Sequence, residues 1–396
     1  MSRLRTCTTA TVSVTAALAL AACGGAATSG SGGAAGGAGA TAASGGVNLA
    51  DVCPATVVIQ TDWNPEADHG HAYQLVGPNP AIDAGKKSVT GDLYSKGQPT
   101  GVKVEVRAGG PAIGFQSVSS TMYADKSIML GYVTTDEGIS NSSKLPTTAV
   151  FAENDISPQM IMWDPSVYPN VTDIKSLGSA LKANSGGVIR YFKSAAYMDY
   201  LIGSGILDKS VTDGGYDGTP AQFVAAKGKD GQQGFGTAEP YIYKNEVKAW
   251  GKDVKFQLIY DTGYPVYPEA MAVRTADLEK NAACLKKLVP VLQQADVDYI
   301  KSPDTTNQLI VDLVTKYNNG WVYSKGVADF AVKQMKDLGI AKNGPSGYVG
   351  EMATERVQKV IDIDTPIFTA QNAAPKTGLK PSDLFTNDYL DKSIKF

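Results

Sequence analysis

Histidine and cysteine are scarce in this chain, two and four respectively among 396 residues. No Cys-x-x-Cys pair, His-Glu-x-x-His run or Gly-x-Ser-x-Gly elbow occurs, which removes the common zinc and serine-hydrolase signatures. A Ser-His-Asp triad is reachable only through His69 or His71. Basic residues are not in excess: 36 Lys and Arg stand against 39 Asp and Glu, a net charge of -3. A protein that tracks nucleic acid needs a basic stripe, and none is present. Long apolar runs are missing too. A bilayer span needs roughly 20 consecutive apolar residues, and the best stretch, Thr8 to Ala22, is shorter and weakly apolar.

That stretch has another meaning. Arg3 and Arg5 precede it and small residues end it at Leu20-Ala21-Ala22-Cys23, the layout of a secretory signal. Leu-Ala-Ala-Cys resembles the bacterial lipobox, so residues 1–22 are expected to be a lipoprotein signal peptide and Cys23 the acylated new N-terminus. The plainer reading is an ordinary secretory signal that contains a Cys. Residues 23–46 then carry the lipidated Cys and a tether of Gly, Ala, Ser and Thr. Such a segment has no large side chain with which to offset the entropy of ordering. It suits a soluble domain held over the extracytoplasmic face of the cell membrane.

About 350 residues follow the tether, beyond the size at which one hydrophobic core stops growing, so two lobes are expected. Cys7 leaves with the signal and Cys23 is the lipid site. Cys53 and Cys284 remain, an even pair in an oxidising compartment, which reads as a disulfide. Two buried free thiols are the other reading.

Short β-branched runs alternate with helical periodicity, the pattern of layered α/β proteins. Strands are expected at Ala55 to Thr61, Val102 to Arg107, Ser127 to Val133, Gln159 to Trp163, Val188 to Phe192, Val254 to Tyr260 and Ala270 to Arg274. Helices are expected near Asp68, over Ile113 to Tyr123, and after Leu278, Thr306 and Ala328. Asp83 to Thr100 reads as a long polar connection. The late helices let the chain return to complete its first part, giving lobe one as 47–146 and 271–396 and lobe two as 147–270.

The densest group of functional residue types is Asp62, Trp63, Asn64, Pro65, His69 and Tyr73. Asp62 and Trp63 follow a strand at its carboxyl end, where open α/β sheets place ligands, and His69 and Tyr73 are four apart on one helical face. Aromatic rings offer flat faces for stacking, and Asp and His offer hydrogen bonds. The plain alternative is that Trp63 and Tyr73 pack the lobe and His69 caps a turn. Glu239 could equally be a solvated loop acid. Glu66, Asp68, His69 and His71 could also ligate a transition metal, although the preferred reading has no metal and no cofactor.

Asp-Trp-x-Pro-x-x-x-His-x-x-x-Tyr, spelled by Asp62, Trp63, Pro65, His69 and Tyr73, is similar to the opening motif of binding proteins for thiamine pyrimidine precursors, within a broad family that also takes sulfonates and nitrate. Gly109 and Gly110 fall where that family has a Gly-rich turn, and Ala238 to Tyr241 resembles its acidic segment, in which the Glu meets an amino group of a pyrimidine. The resemblance implies a periplasmic-binding-protein fold of two lobes with two crossover segments, no catalysis, and a monomer that delivers a solute to an ABC permease and its ATPase. It implies that Trp63 and Tyr73 stack on a planar heteroaromatic ring, that Asp62, His69 and Glu239 hold its polar edge, and that Gly109 and Gly110 let backbone amides approach it. Ser194, before a helix, could present amides to an anion, and Tyr264, near the second crossover, could hinge or stack. The departures are the long Asp83 to Thr100 connection and His71, where the family has a small or apolar residue. Competing readings are a binder of sulfonate, nitrate or another small anion, a metal-binding lipoprotein, a surface enzyme with His69 as general base, and a lipid-anchored adhesion or scaffold protein. A pyrimidine synthase of the same fold relies on a Cys-rich iron motif that this chain does not have.

Overall fold

A computed structural model describes residues 46–183, 186–193 and 195–396. Every described residue belongs to one compact unit. The expected signal segment, Cys23, the expected tether up to residue 45 and Ser194 lie outside the described residues.

Twelve strands build two mixed sheets, and both follow from local sequence. The β-branched run Thr56–Gln60 (β1) lies parallel to β4 (Gln98–Arg107) and β5 (Leu130–Val133). Adding β2 (Ala81–Asp83), β3 (Ser88–Ser95), β6 (Thr147–Ala152) and β12 (Ala270–Arg274) gives a seven-stranded sheet ordered β2-β3-β4-β1-β5-β12-β6. The second sheet has five strands, ordered β11-β7-β10-β8-β9, from β7 (Gln159–Trp163), β8 (Ile189–Arg190), β9 (Thr212–Asp213), β10 (Gly231–Phe235) and β11 (Lys255–Leu258). The chain passes between the sheets twice, over residues 153–158 and 259–269. The architecture is therefore bilobed α/β with two crossovers.

Two expectations differ from this. Asp83 to Thr100 contains β3, which pairs antiparallel with β4 around Lys96 and Gly97. Both turn residues have positive φ, 50° and 73°, the requirement of a tight primed turn. Thr147 to Ala152, expected to open the second lobe, is the edge strand of the first sheet, paired with β12.

Alternation along the strands divides the core by face. Val57 and Ile59 join one apolar cluster and Val58 the other, and Met160 and Met162 separate in the same way from Ile161 and Trp163. Each cluster runs under both sheets, so both sheets are covered on both faces, as near-continuous apolar strands require. The shorter helices are α1 (Gly70–Gln74), α2 (Val118–Ala124), α3 (Thr135–Asn141), α4 (Ile174–Ala183), α5 (Ala196–Gly203), α6 (Ala221–Ala225) and α7 (Glu239–Asn245). A helical tail follows: α8 (Ala282–Lys301), α9 (Asp304–Tyr317), α10 (Lys325–Asp337), α11 (Thr354–Ala370) and the short α12 (Pro381–Leu384). Side-chain caps start several of them: Ser117 accepts from the Ser120 amide, Thr134 from Glu137 and Ser324 from Val327. Cys53 and Cys284 form a disulfide that ties the start of the fold to α8. No helix among the described residues is long and apolar enough to cross a membrane.

Candidate functional site

The loop that leaves β1 carries the expected group and is held from two sides. Gly109 and Gly110, after β4, donate their amides to the carbonyls of Trp63 and Asp62 at 2.8 Å each. A methyl group on Gly109 would sit 2.2 Å from the Thr61 carbonyl oxygen, so glycine is required for the two loops to touch. The amides that the sequence reading assigned to a solute are thus already engaged by the loop that carries Asp62 and Trp63. From the other side the α9–α10 connection clasps the same loop. Tyr323 accepts from the Ala67 amide at 3.0 Å, Asn319 donates to Asn64 at 2.7 Å, and the Trp321 indole donates to the Pro65 carbonyl at 3.3 Å. Trp63 lies edge-on to Trp321 at 6.2 Å and tilted to Phe115 at 5.9 Å. Phe115 is 71% exposed. Nothing in the sequence near Trp63 indicates these two ring partners.

His69 and Asp68 close the loop in a 3-10 turn, Ala67–His69, just before α1. His69 is fully buried, its Nε2 2.8 Å from Asp62 Oδ1 and 3.9 Å from Glu66 Oε1. The approach to Asp62 is close but poorly aligned, and both ring nitrogens of His69 lack a hydrogen-bond partner. Asp68 accepts from the Thr237 hydroxyl at 2.9 Å, a bond between the loop after β1 and the loop after β10, while its other oxygen is buried without a partner. Glu239 opens α7 beside that loop and accepts from the Phe235 amide at 2.6 Å. Glu137, in the first turn of α3, accepts from the amide and hydroxyl of Ser119 at 2.8 and 2.7 Å.

These acids feel one another. Burial raises Asp68 to about 6, against its hydrogen bond from Thr237 and the electrostatic pull of nearby His69. Burial raises Glu239 to about 7, with Asp68 adding to it, and Glu137 to about 7, with Asp136 and Asp62 adding. Glu66 is pushed up by burial and then by Asp68, Asp62 and Glu239. Lys and Arg do not compensate: among the described residues none forms an ion pair with Asp62, Glu66, Asp68, Glu137 or Glu239.

His71 takes a separate path. Its ring contacts Glu153 Oε1 and the Tyr132 hydroxyl, the latter at 3.1 Å from Nδ1. Burial lowers the imidazole, so it is held neutral, and burial raises Glu153. The two histidines therefore serve different partners. Among the described residues no three His, Cys, Asp or Glu side chains gather as metal ligands.

The remaining expected residues scatter. Tyr73 is 1% exposed inside the core of the first lobe, its hydroxyl buried without a partner. The structure thus places it where it packs the lobe rather than where its face meets the cleft. Tyr264 is also buried, bonded through its hydroxyl to Asp364 of α11 at 2.8 Å and stacked on Tyr200. Asp62, Trp63, His69, Gly109, Gly110 and Glu239 come together; Tyr73 packs its ring in the core with its hydroxyl near enough to feel Glu66 and Asp62, and Tyr264 does not join them. A groove of about 840 Å³, lined by Gln74, Pro78, Tyr94, Asp298, Thr306 and Asp312, lies outside this group and shares only Tyr73 with the expected residues.

No protein-family model matches the chain, and no curated protein matches it. Solved structures do. The periplasmic aliphatic sulphonate binding protein SsuA of Escherichia coli superposes with a TM-score of 0.52 at 13% identity, over 86% of this chain and 94% of that one. The periplasmic sulfonate-binding protein SsuA of Methylobacillus flagellatus KT gives 0.50 at 14% identity, over 84% and 92%. Likeness at this level establishes the fold, that of the periplasmic binding proteins.

Proposed function

We propose that this periplasmic-binding-protein fold is the solute-capturing component of an ABC importer, enclosing a small solute between its lobes and carrying no chemical step. The observation that supports it most is the meeting of side chains from both sheets at one place: Asp62, Asp68 and His69 from the first lobe, Thr237 and Glu239 from the second, with the Thr237–Asp68 bond across the gap. A ligand that touches both sides favours the closed arrangement by its differential affinity for it. The permease and ATPase would recognise that closed form. In this reading residues 1–22 are removed, Cys23 is acylated, and 23–46 tether the monomer to the extracytoplasmic face of the membrane.

Two solute classes compete. A planar heteroaromatic of the thiamine-precursor kind accords with Trp63, Phe115 and Trp321 flanking Asp62 and His69. A sulfonate, nitrate or other small anion is the reading the comparisons favour, since the two superposed structures named above are described as sulfonate-binding proteins. Their ligand carries over only by fold. A thermal-shift screen of the full chain against pyrimidines, sulfonates and nitrate, repeated on Trp63→Ala, tests the capture reading. A solute at a hundred times its Kd stabilises by about 2.7 kcal/mol, a shift of a few degrees. Capture is refuted if no small molecule of any class shifts the melt.

A further inference from the structure

Carboxylates converge where the two lobes meet from three chain segments, and among the described residues no Lys or Arg forms an ion pair with them. Asp62, Glu66 and Asp68 come from the loop after β1, Glu137 from α3, and Glu239 from α7. Asp68 raises Glu66 and Glu239, Glu239 raises Glu66, and Asp62 acts on Glu66, Asp68 and Glu137. Bringing like charges together away from water is unfavourable unless protons or counter-charges accompany them. A second observation points to a ligand rather than to a merely acidic surface. Nδ1 of the fully buried His69, whose Nε2 faces Asp62, and Oδ1 of the buried Asp68 have no hydrogen-bond partner, although buried polar groups are almost always paired.

The rings around these acids specify the kind of counter-charge. Trp63, Phe115 and Trp321 stand on the first lobe. On the second, Phe235 is 40% exposed next to Glu239, and Tyr216, tilted against Phe192 at 4.9 Å, lies close enough for Glu239 to act on its hydroxyl. Carboxylates framed by aromatic faces suit a cation that is organic and partly apolar. A bare metal ion needs a set of lone pairs gathered to about 2.0–2.6 Å, and no such set is present among the described residues.

We propose that the cleft takes its solute as an organic cation, a compact or planar molecule bearing a protonated or quaternary nitrogen that docks between Asp62, Asp68 and Glu239 against His69 and the aromatic rings. This inference rests on the capture reading and adds the sign of the solute's charge. It places sulfonates and nitrate among the excluded molecules, because each would face several uncompensated carboxylates.

The test is titration calorimetry on the full chain at pH 7.5 with one ring in three charge states, benzylammonium, benzyl alcohol and benzenesulfonate, together with 4-aminopyridinium and thiamine as heteroaromatic cations. At least one cation should bind, and at least tenfold more tightly than the neutral ring. Glu239→Gln should weaken that cation about tenfold to a hundredfold, the worth of a charged hydrogen bond, while leaving the neutral ring unchanged. Trp63→Ala should weaken both. Ligand-free melting of each variant separates lost binding from lost folding. Equal affinity for cation and neutral ring overturns the charge assignment and leaves the capture reading standing. Binding of benzenesulfonate alone overturns it in favour of the anion reading. No binding by any of the probes counts against the assignment, and the wider thermal-shift screen then decides whether capture itself fails.

Discussion

Arg356 holds Asp155 at 3.1 Å and in doing so joins the two crossover segments. Asp155 belongs to the first crossover, and the same guanidinium donates to the carbonyls of Pro265 and Val266 in the second, at 2.7 and 2.9 Å. It also lies over the Tyr267 ring, 3.6 Å from the centroid. One side chain from α11 thereby ties together the two segments that connect the lobes. Lys342 reaches Asp155 as well, at 3.1 Å.

Replacing Arg356 by Met should remove this clamp while keeping the bulk of the side chain. Loss of one partner of a largely buried ion pair costs about 3–5 kcal/mol, with the low end expected because Lys342 remains on Asp155. Denaturant unfolding of Arg356→Met checks the loss, and small-angle scattering should show a larger radius of gyration for the variant. An unchanged midpoint would mean that the crossovers are held by packing alone.

Stability of the ligand-free protein should fall between about pH 5 and pH 8. Asp68 at about 6, Glu239 and Glu137 at about 7 and Asp364 at about 8 are all raised, mainly by burial. The folded form then binds more protons than the unfolded form across this window. Its stabilisation is complete below the unfolded carboxylate range near pH 4 and is lost as pH climbs through the folded values. Melting temperatures across this range give the sign directly, and a rise toward pH 8 would contradict the burial of these acids. If the solute is a cation, its affinity should run the opposite way and strengthen from pH 5 to 8, because the acids it meets are then ionised.

Thr237→Val should lower stability by about 1–3 kcal/mol, since it leaves both oxygens of the buried Asp68 carboxyl without their one hydroxyl donor. The deficit should shrink at pH 5, where Asp68 is protonated, and a deficit independent of pH would place the loss elsewhere.

Two glycines on either side of the same short turn should respond very differently to alanine. At Gly109 the added methyl group meets backbone at 2.2 and 2.4 Å, so Gly109→Ala should cost roughly 3 kcal/mol or more by forcing two loops apart. At Gly114 nothing lies within 4 Å and only the positive φ of 64° opposes the change, worth about 1–2 kcal/mol. Equal losses at the two positions would show that loop contact is not the constraint.

Reduction should matter, since half-buried Cys53 packs against the core and Cys284 is buried. The Cys53–Cys284 bridge closes a separation of 231 residues, and disulfides over long loops stabilise by about 2–5 kcal/mol. The double variant Cys53→Ala, Cys284→Ala should melt several degrees lower in either redox state, and the wild-type protein should approach it only in reductant.

Much of the framework was legible because it depends on local patterning. The apolar run of β1, the alternation of β4 and the period of α9 each expose their face through spacing alone. β3 was not legible, since Ser88-Val89-Thr90-Gly91-Asp92-Leu93 buries residues that look polar or small, and only pairing with β4 makes a strand of them. Residues after Leu338 were read only as part of the first lobe, and α11, with Arg356, went unseen. Its role depends on two crossovers that are about 90 and 200 residues away in the chain.

The site divides in the same way. Asp62, Trp63 and His69 stood out by type and spacing after a strand end, Glu239 stood out only through the family resemblance, and the structure brings those four together. Tyr73 shares their spacing, but five-residue α1 turns its ring into the core, where burial of a large aromatic outweighs any benefit of facing the cleft. Trp321, Phe115, Glu137 and Thr237 gave no signal, because each comes from a separate segment of the chain, remote in sequence from Asp62 and His69. The sequence by itself determined the α/β class, the crossing back of the late helices and the loop that holds His69, all consequences of local periodicity and glycine placement. The tertiary structure alone decided which acids meet without a counter-charge, because burial and distance between remote segments set that energy and neither is written in any single stretch of chain.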